Sequence, residues 1–70
     1  MYKLIQIVSN DEIRYSGNGC FPAPQKKDVG KKVVVIRRCS TWDGSLGYFD
    51  DDSKKVTHAF YDVELQGEKD

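Results

Sequence analysis

The chain has 70 residues, 39% of them hydrophobic, and its 11 basic side chains balance 11 acidic ones. A chain of this size makes one domain with a small core, too small for an enzyme cleft of ordinary size within one protomer. It has no apolar run of about 18 residues that would cross a membrane, and its start, a short apolar run broken by Gln6, lacks the pattern of a secretion signal. The expectation is a cytoplasmic protein folded as one domain over residues 1–70, with 66–70 as a flexible polar tail. Charge is nonetheless uneven along the chain, +5 over residues 26–38 and −5 over 39–70, so a neutral protein could still present a basic and an acidic region.

Taken in order, residues 2–8 are apolar on both faces of an extended segment and predict a first strand. Ser9-Asn10-Asp11 is a turn signal, and residues 12–15 predict a short strand with Ile13 and Tyr15 on one face, near enough to the first for a hairpin. Ser16-Gly17-Asn18-Gly19 is the strongest turn signal, since Gly and Asn accept positive φ. Residues 20–25, with Pro22 and Pro24, predict an irregular extended loop from which Phe21 plugs the core. Residues 32–38 predict the central strand, its four β-branched residues Val33 to Ile36 buried on both faces. A polar turn carrying Trp42 leads to a strand at 46–49, and the charged turn 50–55 lacks the Gly and terminal Glu of a calcium loop. Residues 56–65 predict the last strand, with Thr57, Ala59, Tyr61, Val63 and Leu65 facing the core and most of His58, Phe60, Asp62 and Glu64 facing water, His58 among them. No segment carries a helical period. Five strands with tight turns predict an all-β fold, a small antiparallel SH3-like barrel or open roll.

Chemistry-bearing residues are few. Cys20 and Cys39 read as two reduced thiols, although a disulfide between them stays open without distances. With His58 they make three soft ligands without C-x-x-C spacing, so no metal site, no cofactor and no catalytic group are expected, and the chain is read as a non-enzyme.

Gly30, Val33 and Val35, followed by Gly44, Gly47 and an apolar strand, resemble the KOW pattern of SH3-like barrels over residues 30–49. That resemblance implies RNA contacts from the loop between Ile36 and Gly44, which is longer here than in that family. Trp42-Asp43-Gly44 is similar to the Trp-x-Gly strand of the plasmid-borne type II dihydrofolate reductases, tiny barrels that act as oligomers. Residues 56–61 do not match their pore segment, so oligomer formation is implied and the activity is not.

Two functional readings follow. The first is a protein-interaction or regulatory accessory module, of the kind a phage, plasmid or gene cassette encodes, with a protein partner or self-association through complementary charge and aromatic anchors. The second is nucleic-acid binding, in which basic residues neutralise phosphates and aromatics stack on bases. Lys31, Lys32, Arg37, Arg38, Trp42 and Tyr48 are the contact residues expected for either partner.

Overall fold

The computed structural model describes residues 1–17 and 19–68. Among the described residues seven strands form: β1 (Tyr2–Leu4), β2 (Ile13–Ser16), β3 (Gly19–Pro22), β4 (Lys32–Arg38), β5 (Gly44–Phe49), β6 (His58–Tyr61) and β7 (Leu65–Gly67). Short 3-10 turns lie at Lys26–Asp28 and Asp62–Glu64. Five strands make an antiparallel sheet in the order β6-β5-β4-β1-β7, curled into a half-barrel, and β2 and β3 make a separate hairpin. The all-β expectation holds, and the architecture is that of an SH3-like barrel or open roll.

The Val-rich segment forms β4 with the predicted bounds, because β-branched side chains fit a pleated, covered surface. It is not covered on both faces throughout: Val33 is buried, Val34 and Val35 are half-buried, and Ile36 is 53% exposed. The cause is local. The register of β4 against β5 shifts between Val35 and Arg37, which leaves Ile36 unpaired at a bulge. Two glycines let β5 lie flat. A Cβ at Gly47 would run into the Val34 carbonyl, and one at Gly44 into the Trp42 ring and the Phe60 carbonyl.

The core is one cluster of Leu4, Val33, Phe49 and Phe60, with Ile7, Val35 and Leu65 against it. Phe49 and Phe60 meet edge-on at 5.6 Å between centroids, a favoured aromatic geometry.

Four expectations are corrected. The first strand stops at Leu4, and it pairs with β4 and β7 rather than with β2. Residues 20–22 are no loop: Gly17, at φ 59°, turns the chain so that Ser16 pairs with Gly19 and the segment returns as β3. Pro22 is accommodated because the Ala23 N–H donates to the Glu12 carbonyl, which makes the adjoining Ile13–Pro22 pair one whose backbone groups point outward. The long last strand ends at Tyr61, where the turn at Asp62–Glu64 breaks the alternation; Val63 emerges 60% exposed and Glu64 is fully buried, the reverse of the period-two reading. The tail expected from residue 66 begins later, since Gln66 and Gly67 pair with Lys3 and Tyr2. Residues 69–70 of that tail, and Asn18 of the predicted turn, lie outside the described residues.

Candidate interaction surface

The hairpin contributes nothing to the apolar cluster around Phe60. What holds it is Arg14, which is 3% exposed and points inward from β2. Its guanidinium makes a two-pronged pair with Glu64, Nη1 to Oε1 at 2.5 Å and Nη2 to Oε2 at 2.9 Å. Nη1 also donates to the Ala59 carbonyl at 3.0 Å, and the guanidinium carbon lies 4.4 Å from the Tyr61 ring centroid. Glu64 in turn accepts from the backbone N–H of Tyr61 at 2.9 Å and of Val8 at 3.0 Å. Burial pushes the Glu64 carboxyl up, but the Arg14 guanidinium and the two backbone N–H groups outweigh it and hold the group below its ordinary value. Arg14 Nε alone, among the described residues, is a buried side-chain polar atom without a partner.

Because Arg14 and Ser16 turn inward, the alternate residues of the hairpin turn outward. Ile13 stands opposite Pro22 and Tyr15 opposite Cys20, so all four share the outer face. All are exposed, Ile13 at 51% and Tyr15 at 70%. Two adjoining cross-strand pairs thus make a continuous apolar face with no polar side chain between them. Acidic Asp11 and Glu12 adjoin its base, and a shallow pocket of about 390 Å³ between Ser16, Gly17, Gly19, Arg37, Arg38 and Ser40 adjoins its tip.

The residues expected to bind are not gathered into one surface. Lys31 pairs with Asp28 at 3.0 Å and Asp51 at 3.7 Å, and hydrogen bonding to Asp28 raises its pKa. Arg38 is paired in two-pronged fashion with Asp62, at 2.6 and 2.8 Å, which raises the arginine pKa and lowers that of the aspartate. Lys32 is exposed opposite Lys3 across β1, and Arg37 is exposed at the far end of β4. Lys31 and Arg37 lie roughly 20 Å apart along the strand. Trp42 is half-buried: its indole N–H donates to the Tyr15 carbonyl, and its ring meets Tyr61 at 4.6 Å between centroids. It fastens the hairpin to β5 and β6. Tyr48 is half-buried, with Lys55 Nζ 5.8 Å from its ring centroid. The uneven charge of the chain is folded back on itself in part, since Lys31 meets Asp51 and Arg38 meets Asp62.

A second feature is an open groove of about 970 Å³ between residues 9–12, 22–28 and 51–52, floored by Ile7, Phe49 and His58. His58 is half-buried, not on an open wet face; its ring packs edge-on against Phe49 at 5.0 Å, with Nδ1 2.9 Å from the Val56 carbonyl. The groove walls carry both signs of charge, Asp11 and Glu12 with Lys26 and Lys27. Neither cysteine lines it; both are free thiols, Cys20 exposed and Cys39 half-buried.

The outer face of the hairpin was half legible. The Ile13-x-Tyr15 alternation marks one strand of it, but Cys20 and Pro22 join only through the hairpin that the two prolines disguise. Glu64 had no such signal, because a three-residue turn reverses its face. No family model, no curated protein and no solved structure matches the chain.

Proposed function

We propose that the protein is a small binding module that engages a protein partner through the outer face of the β2–β3 hairpin. The observation that supports this is the exposed quartet Ile13, Tyr15, Cys20 and Pro22, apolar and contiguous on two paired strands. Contiguous exposed apolar patches rimmed by polar residues mark interaction sites, whereas singly scattered apolar side chains do not. Tyrosine is among the residues that most often anchor interfaces, and Tyr15 is the most exposed large hydrophobic side chain of the molecule. The groove, with its mixed charge, adjoins the base of the same hairpin through Glu12 and Pro22.

The test is an Ile13→Asp/Tyr15→Asp double variant, checked by circular dichroism for retained fold and then measured for partner capture from extracts of the source cells. Capture by the wild type that the double variant loses at least about tenfold supports the reading. A partner held equally by both proteins refutes it. Nucleic-acid binding is the competing outcome, read as Trp42 fluorescence during titration with single-stranded RNA and DNA at low and physiological salt. With Lys31 and Arg38 neutralised by carboxylates, a flat titration is expected; saturable quenching that weakens steeply with salt would move the site to Arg37 and the unpaired lysines.

A further inference from the structure

We infer that the β2–β3 hairpin is a flap that opens as a unit from edge strand β6 while the five-stranded sheet stays folded, and that the Arg14–Glu64 pair is its latch. Four observations carry this. First, no backbone ladder joins the hairpin to the sheet, although both of its strands contact β6. Second, none of its side chains belongs to the apolar cluster of the sheet, so undocking it leaves Leu4, Val33, Phe49 and Phe60 packed on one another. Third, its hydrogen bonds to the rest of the molecule are few: Arg14 to Glu64, to the Ala59 carbonyl and to Ser9 Oγ, the Trp42 indole to the Tyr15 carbonyl, and the Gly17 N–H to Thr41 Oγ1, with the Arg14 guanidinium over the Tyr61 ring and Phe21 half-buried opposite Arg14. Fourth, chain without regular structure precedes it at 5–12 and follows it at 23–25.

Glu64 is the point of control. The same carboxylate binds the flap through Arg14 and the preceding segment through the Val8 N–H, while its own backbone carbonyl takes the Ile5 N–H. A change at this one residue loosens the flap and its hinge together. Polar attachment also makes the transition sharp, because a buried guanidinium cannot drift partway from its carboxylate without leaving both unpaired. Regions that open below the global limit are those with few shared apolar contacts, which describes the hairpin and not the sheet. The inference is independent of any partner, since it concerns the free protein.

Native-state hydrogen exchange across a denaturant series tests it. A two-stranded hairpin off its support is barely stable, so opening exposes its amides. In the wild type, amides of β2 and β3 are expected to exchange about a hundredfold or more faster than those of β4 and β5, with a weaker dependence on denaturant. Glu64→Gln should accelerate the hairpin amides at least about tenfold more than the sheet amides. Should that variant fail to fold, Trp42→Phe removes the indole donor to Tyr15 together with part of the ring against Tyr61 and Gly44, and should speed exchange in β2 and β3 more than in the sheet. Hairpin and sheet amides that share one protection level and one denaturant slope in the wild type would overturn the inference. So would a Trp42→Phe variant that accelerates both regions equally.

Discussion

The sheet and the hairpin are built from similar strands and held by opposite means. The sheet surrounds Leu4, Val33, Phe49 and Phe60, and its cohesion scales with the apolar surface they remove from water. The hairpin turns Ile13, Tyr15, Cys20 and Pro22 outward and Arg14 inward beside half-buried Phe21, so its place depends largely on a handful of directional bonds. Packing tolerates small adjustments, whereas a buried ion pair is either made or broken. A chain this short fastens its second layer mainly through polar contacts, and that leaves the outer apolar face free for use.

The contrast can be broken at its hardest point first. Removing one side of the buried pair, as in Arg14→Met or Glu64→Leu, should destabilise the protein by about 3–5 kcal/mol in urea unfolding, because the other charge is stranded in the interior. The double variant Arg14→Met/Glu64→Leu should recover much of that loss; if it is no better than the singles, the bonds to Ala59 and Tyr61 outweigh the charge pairing. Next in size is Gly47→Ala, which thrusts a methyl group at the Val34 carbonyl within the sheet and should cost about 1–3 kcal/mol, read as a lower urea midpoint with unchanged slope.

Acid sharpens the comparison further. Glu64 has its folded pKa lowered from the ordinary 4.5, so it stabilises the folded state above that value and loses this contribution as pH falls toward the folded pKa. Asp62 is lowered by Arg38, and Asp52 by the backbone N–H groups of Val56 and Lys54, in the same direction. Thermal melts should therefore fall progressively below about pH 4.5, and Glu64→Gln, though less stable at neutral pH, should show a shallower decline. The smallest effect belongs to the outer face: Tyr15→Asp should move stability by no more than about 1 kcal/mol, since the side chain is 70% exposed. A large loss there would mean that the ring supports the fold rather than a partner.

These differences also explain what could be read before the structure was known. Val33 to Ile36 and the Ser16–Gly19 turn are local signals, and they placed β4 and the hairpin tip. Gly44 and Gly47 stand out as a motif, and their reason is the close approach of Trp42 and of Val34. Glu64 and β7 escape a local reading for a shared cause. Each is defined by a partner far away in the chain, respectively Arg14 and β1, and no window along the sequence contains both members. The Trp42 bond to the Tyr15 carbonyl is hidden in the same way.

The Ala59 carbonyl and the Tyr61 N–H carry one last consequence. Both belong to β6, the strand at one end of the five-stranded sheet, and both are filled by side chains, Arg14 and Glu64. On a bare border strand such groups form a template onto which an identical chain can add, the first step toward fibres. The ion pair thus does for β6 what another strand would do while offering nothing to copy. A variant lacking it should be more prone to ordered aggregation than a control of equal stability with its defect in the core, such as Leu4→Val. Solubility, and not only folding free energy, is therefore a reason for two charges to lie in the interior of so small a protein.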